Sequence, residues 1–324
     1  MATETRPNLR VAFVVGAFPQ RTETFIINQV ADLMDRGVHV EVFSLEPGQD
    51  HDISSRFFEH RMSRITHYLH MPENRIARWF GGLWRLVQLL CIQPRLLRHV
   101  LPRQRRTDGL YASRLLFMMA PFAGKSFDLV HCHFGPAAKD YIKLRPYLGH
   151  RQKLVVTFYG YDASVVVRQN GPRFYADVED AADLCFVMSH DMKRRVAAAG
   201  ISEHRIVVLP VGIDVEQYPF VERRLSPGEP VQLLSVGRFV EKKGFDDIIR
   251  ALALVVESSE VPFVMTFIGG GKMEAQLRMM VKDAGLEDLI TFAGFMSNEE
   301  VVTALLQAHV FVQPSRTAEN GDME

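Results

Sequence analysis

Leu233–Leu252 reads LLSVGRFVEKKGFDDIIRAL. An apolar run leads straight into a basic loop bounded by Gly237 and Gly244, and a helical pattern over 244–257 follows. Strand, loop, helix is the unit from which parallel α/β sheets are built, and in such sheets ligands bind beyond the carboxyl ends of the strands. This loop carries what an anion needs there. The helix start offers N–H groups and partial positive charge, Arg238 a planar fork and Lys243 a point charge. A diphosphate suits these groups. A solvated basic loop has the same composition, and the stretch alone leaves both readings open.

The same alternation runs outward on both sides. Strands over 231–236, 263–268, 289–293 and 309–312 enclose helices over 244–257, 272–284 and 298–308. The last helix opens on Ser297-Asn298-Glu299-Glu300, a capping box. Doubly wound domains commonly have about five or six strands, so this second domain reads as unfinished. The closing stretch VQPSRTAENGDME, Val312–Glu324, is a polar loop of the kind that leads into another element. Upstream, Val11–Val15 is a buried-strand run. A helix over 23–36 then aligns Ile26, Val30, Leu33 and Met34 and stops at Gly37, before a strand at Val38–Val42. Further strands over 129–133, 154–157, 184–187 and 206–209 alternate with helices near 136–147, 173–182 and 189–199. Residues 212–230 hold three prolines and two glycines without period. The fold class is therefore α/β. Two Rossmann-like, doubly wound domains, 1–213 and 231–324, are expected around a linker at 214–230, with their ligand edges facing a cleft.

Composition narrows the function. Lys plus Arg equals Asp plus Glu at 38 each, which argues against nucleic acid as a partner. The three cysteines, Cys91, Cys132 and Cys185, are widely spaced and form neither a zinc pattern nor a disulfide framework. The N-terminus lacks the apolar core of a signal peptide, and no apolar run is long enough to span a membrane. A cytosolic protein is the expectation.

Other strand ends carry polar or glycine-rich loops. Ile268-Gly269-Gly270-Gly271-Lys272 superficially matches a dinucleotide fingerprint, but Glu274 stands where the third glycine belongs. Its glycines allow close backbone approach to a ligand, or simply a tight turn. Gly16 to Phe25 joins strand to helix, with Thr22 placed to cap the helix. His131 and His133 share one face at the end of their strand. No third ligand lies near them in sequence, so a site histidine or a polar strand end is preferred to a metal. Thr157 to Asp162 ends the next strand. Residues 75–106 stand apart. Eight arginines alternate there with Trp79, Phe80, Trp84 and leucines, without one acid. An anionic membrane surface and a solvated basic face packed on the domain both account for that composition.

Three segments in order, LLSVGRFVEKKGFDDIIRAL, FIGGGKMEAQLRMMV and LEDLITFAGFMSNEEVVTALLQAHVFVQPS, resemble the retaining, two-domain glycosyltransferases of family 4, which use nucleotide sugars and have the GT-B fold. FPQRTETFI, VHCHFG and TFYGYD are similar to the bacterial exopolysaccharide branch, of colanic-acid type. The resemblance implies a donor-binding set of Gly16, Gly237, Arg238, Lys243, Gly269, Gly270, Gly294, Phe295, Met296 and Glu324. Within it, Arg238 and Lys243 grip the diphosphate and the backbone of 294–296 reads the base. His133 touches the transferred sugar. Phe18, Thr22, Glu23, Tyr159 and Asp162 fall on the acceptor side, Tyr159 where relatives often have histidine. The resemblance also implies a UDP- or GDP-sugar donor, no cofactor and no required metal. The implied acceptor is a glycan or lipid-linked glycan at the cytoplasmic membrane face. Members carry a pair of glutamates after the Pro-Ser loop. Glu324 matches the first, so the chain reads as the front portion of a longer enzyme, and residues 1–324 alone are expected to bind nucleotide weakly and transfer little. A non-catalytic nucleotide-sugar-binding or scaffold protein is the rival, and a Rossmann oxidoreductase the weaker one.

Overall fold

The computed structural model describes residues 9–48, 53–100, 112–213 and 215–323. The chain divides into two compact units, Met1–Val211 and Gly212–Glu324.

The first unit is a seven-stranded parallel sheet of order β3-β2-β1-β4-β5-β6-β7. Its strands are β1 (Arg10–Phe18), β2 (His39–Pro47), β3 (Thr66–Tyr68), β4 (Leu129–His133), β5 (Lys153–Thr157), β6 (Leu184–Val187) and β7 (Ile206–Val208). The helices are α1 (Thr24–Asp35), α2 (Ser55–Glu59), α3 (Arg75–Ile92), α4 (Leu97–Val100), α5 (Ala112–Met119), α6 (Gly135–Leu148), α7 (Val167–Asn170), α8 (Ala176–Ala181) and α9 (His190–Ala198). β1 shows why the sheet is covered on both faces. Val11, Phe13 and Val15 pack with Ile26, Ile27 and Val30 of α1. The alternate residues Ala12 and Val14 join a second cluster that includes Leu115 of α5 and Tyr141 of α6. A strand buried on both sides reads as a continuous apolar run, which is what Val11–Val15 shows. β1 continues through Gly16 and pairs with β2 as far as Phe18 opposite Pro47, so the loop predicted from Gly16 begins only after Phe18. β3 and α5 have no counterpart in the sequence reading; a three-residue strand gives no period to detect.

The second unit holds β8 (Val231–Val236), β9 (Phe263–Ile268), β10 (Ile290–Gly294) and β11 (Val310–Phe311), all parallel, in the order β10-β9-β8-β11. α10 (Phe245–Ser258), α11 (Glu274–Asp283) and α12 (Asn298–Gln307) are its helices. α10 buries Phe245, Ile248, Ile249 and Leu252, a helical stripe, against Phe263, Met265 and Phe267 of β9. Each such side chain contributes roughly 1.5–3 kcal/mol through removal from water. The capping box of α12 is formed: Ser297 Oγ accepts from Glu300 N, and Glu300 Oε2 from Ser297 N at 2.7 Å.

In both sheets the strand order reverses direction once, between β1 and β4 and between β8 and β11. At such a point adjacent loops leave on opposite faces and open a crevice at the carboxyl ends.

Candidate functional site

In the second unit the crevice loop is Gly237 to Gly244. Gly237 N donates to Ile268 O at 2.9 Å, and Gly269 N to Gly294 O at 2.7 Å, so the ends of β8, β9 and β10 are stitched together by backbone. Gly269 has φ +129°, and a Cβ there would lie 2.0 Å from Gly237 O. Gly270 makes room for the Phe295 ring in the same way. The triple glycine therefore brings protein against protein, where its composition allowed approach to a ligand. Arg238 stays exposed at the loop tip. The stem of Lys243 lies along Gly237, its Cδ and Cε 3.7 Å from where a Cβ would stand. Gly294 has φ +74° and open space at its Cβ position, and Phe295 and Met296 are exposed beside it.

The loop does not run directly into α10. A short 3₁₀ turn, Glu241–Lys243, intervenes, and the first helical turn carries Asp246 and Asp247. Both acids pair with Arg316, Asp246 at 2.9 Å. The stretch after β11 is folded back over this turn. Gln313 donates to Lys243 O at 3.2 Å, Arg316 N to Lys242 O at 2.8 Å, and Glu319 N to a Glu241 carboxylate oxygen at 2.9 Å. Gly244, with φ +69°, lets Pro314 O approach to within 2.2 Å of its missing Cβ. Lys242, buried, donates to Asp322 and to Met323 O, each at 3.1 Å. The two adjacent lysines thus differ: Lys242 anchors the returning segment, while Lys243 lies against the ligand-edge glycine. The sequence reading missed Lys242, Arg316 and Asp322. Only the density of charge in both stretches hinted at their pairing. Glu324 lies outside the described residues.

In the first unit the crevice is lined by the ends of β1, β4 and β5. Gly16 leaves open space where a Cβ would stand. β1 pairs with β4 only as far as Val14 opposite Cys132, so the two strands part just before it. His133 is buried, stacked on Phe13 at 5.0 Å between ring centroids and 4.2 Å from the His131 ring. Its Nδ1 meets Tyr159 Oη at 2.8 Å, while its Nε2 is buried with no hydrogen-bond partner among the described residues. Burial, then the neighbouring His131, holds the His133 pKa well below the usual value. His131 is pushed down to about 4 by burial, and its Nε2 meets Thr157 Oγ1 at 2.7 Å. A neutral His133 that accepts the Tyr159 hydroxyl proton at Nδ1 carries its own proton on Nε2. The unpartnered atom is then a donor.

Tyr159 joins three elements. Its ring contacts Phe25 at 4.7 Å and Phe134 at 4.6 Å, and burial, then the carboxylates of Asp162 and Glu23, push its pKa well above the usual value. Asp162, which the resemblance puts on the acceptor side, has no exposed surface. Its carboxylate accepts from Tyr159 N at 2.6 Å and Gly135 N at 2.7 Å. Its part is to hold the β4 and β5 loops together. Burial pushes it up to about 7 against the pull of those donors. Phe134, between His133 and Gly135, has φ +70°, a conformation rare for a side chain of its size. Phe18 is likewise a core residue, packed on Phe57 at 5.8 Å. Thr22 is exposed and does not cap α1: the N-cap is Glu23, without a side-chain cap bond, because the helix begins one residue later. Among the described residues no group of three or more His, Cys, Asp or Glu is placed to hold a metal.

Comparison with known proteins adds the following. The family model described as Glycosyltransferase Family 4 matches residues 22–217, and that of glycosyl transferases group 1 matches 219–321. Amylovoran biosynthesis glycosyltransferase AmsK of Erwinia amylovora is 31% identical over 326 residues, covering 98% of this chain and 78% of the relative. The putative colanic acid biosynthesis glycosyltransferase WcaL of Escherichia coli is 30% identical over 325 residues, with the same coverage of 98% and 78%. Among solved structures, Anabaena HepE in complex with UDP and glucose matches with a TM-score of 0.61 at 14% identity, over 96% of this chain and 75% of that one. That last likeness is one of fold.

Proposed function

The chain belongs to the glycosyltransferases of family 4, with a group 1 domain in its second half, and on that footing we propose that it transfers a hexose from a nucleoside diphosphate sugar to a growing cell-surface polysaccharide. The observation that carries this reading is the Gly237–Gly244 loop at the β8–β11 reversal, with Arg238 exposed and Lys243 laid along Gly237. The names of AmsK and WcaL support an exopolysaccharide acceptor, and the UDP and glucose held by HepE support a UDP-sugar donor. A GDP-sugar meets the same diphosphate chemistry.

Transfer builds negative charge on the departing diphosphate and positive character on the sugar. Arg238 and Lys243 stabilise the first; cations aimed at developing charge do so without rearranging during the reaction. The carbonyls and N–H groups at Gly294 to Met296 read the base. His133, neutral, offers Nε2–H to a sugar hydroxyl, and Tyr159 holds the tautomer that makes this possible. Retention of configuration and a lipid-linked acceptor at the cytoplasmic membrane face belong to the same proposal.

The test is transfer or donor hydrolysis by the purified protein with a panel of UDP- and GDP-sugars, followed by Arg238→Ala and Lys243→Ala. Each variant is expected to lose about 100-fold in turnover, the usual cost of removing one charge-stabilising donor. Unchanged turnover in both would sink the diphosphate assignment.

A further inference from the structure

α3 is held to the first unit by one face only. Arg85 donates to Tyr68 O at 2.8 Å and lies over the Phe117 ring at 5.0 Å, Gln88 donates to Ala120 O at 3.1 Å, and Leu89 is buried. Gly81 lets the helix press against Phe117, whose ring would be 3.2 Å from a Cβ there. The other face carries Ile76, Trp79, Phe80, Leu83, Trp84 and Val87. Their spacing puts all six in one stripe along the helix. Every one of them is exposed, from 44% at Val87 to 71% at Trp84. Side chains of this size gathered in water mark a contact surface.

Charge says what the surface meets. From Arg75 to Val100 there is no Asp or Glu, and Arg75, Arg95 and Arg98 are exposed. A second copy of this chain would offer no acid from the same segment to meet those arginines. An anionic bilayer supplies both partners at once: acyl chains for the stripe and phosphates for the arginines. Tryptophan suits that boundary, since its ring is apolar and its N–H can stay wet. No helix among the described residues is long and apolar enough to cross a membrane, so the fit is to a surface.

We propose that α3 docks this protein on an anionic membrane surface, with the Ile76–Val87 stripe at the acyl–headgroup boundary. The chain has two tryptophans, and both stand on this stripe. Tryptophan emission of the full chain therefore reports the contact directly. In titrations with phosphatidylcholine vesicles with and without phosphatidylglycerol, the anionic vesicles should shift emission to the blue. Brominated acyl chains should quench it, and added salt should weaken the binding. Arg75→Gln, Arg95→Gln and Arg98→Gln should each lower the apparent affinity for anionic vesicles about fivefold. The double variant Leu83→Ser and Val87→Ser should lower it at least about tenfold and leave thermal unfolding unchanged, because both side chains face solvent. No spectral shift with any vesicle, equal binding to neutral and anionic vesicles, or binding that leaves the tryptophans unquenched would each overturn the proposal. So would a dimer whose emission is already blue without lipid; that result would give the stripe to a second copy. None of these readouts involves sugar transfer, so the proposal and the donor assignment can fail separately.

Discussion

Asp162 is the residue whose loss should be felt furthest through the first unit. Its two carboxylate oxygens take one backbone N–H each, from Tyr159 at 2.6 Å and Gly135 at 2.7 Å, in a site with no exposed surface. Asp162→Ala leaves both N–H groups buried and unpaired. At roughly 1.5–3 kcal/mol for each bond to a charged acceptor, the loss should be about 3–6 kcal/mol. Asp162→Asn keeps the shape but has one accepting oxygen, and its NH₂ must face the other N–H; about 2–4 kcal/mol should go. The held loop also keeps Phe134 at φ +70°, a conformation that persists only where neighbours enforce it. Both variants should therefore speed amide hydrogen exchange at Gly135 and Tyr159 more than elsewhere in the unit. The assay is urea unfolding followed by circular dichroism, alongside exchange read by mass spectrometry. The reasoning is refuted if both variants stay within about 0.5 kcal/mol of the parent, the range of an ordinary surface change. A stable Asn variant beside an unstable Ala variant would show that shape, not paired acceptors, holds the loops.

Two further outcomes are expected. Arg316→Ala removes one of the two arginine partners of the buried Asp246 and of Asp247, Arg250 being the other, and should cost the second unit about 1–2 kcal/mol while opening 313–323 to limited proteolysis; a protease pattern equal to the parent's would contradict this. His131 is neutral in the fold, with its pKa at about 4, whereas the unfolded chain takes up the proton near 6.5. Its contribution is present above 6.5 and is lost as pH falls toward 4, so the stability advantage of the parent over His131→Gln should shrink by about 2 kcal/mol between pH 7 and pH 5, measured by urea unfolding at each pH.

Much of the fold was legible because buried parallel strands and amphipathic helices leave strong, opposite periods. Val11–Val15, the α10 stripe and the Ser297 box are local signals, and each formed where expected. The misses share a cause: the deciding partner is distant in sequence. Asp162 reads as a loop acid until Gly135, 27 residues earlier, is seen to point its N–H at it. Gly269 reads equally as room for a ligand and as a tight turn until the Gly237 carbonyl is seen beside its missing Cβ. Nor does a three-residue strand such as Thr66–Tyr68 leave a period to read.

Lys242 and Lys243 carry this furthest. Composition treats them as one basic pair, yet the backbone turn sends the Lys242 ammonium inward to Asp322 and Met323 O and lays the aliphatic stem of Lys243 along Gly237. The loop that would hold a diphosphate is thus shaped from behind by residues about seventy to eighty positions later, through Gln313, Arg316, Glu319 and Asp322. Those contacts fix the carbonyls of both lysines, and so the direction in which Lys243 leaves the chain. On the proposed reading of this loop as a diphosphate site, the returning segment therefore bears on the anion through the turn it holds. It sets where one of the two cations stands before any ligand arrives, and preorganisation of that kind separates a phosphate site from a merely basic loop.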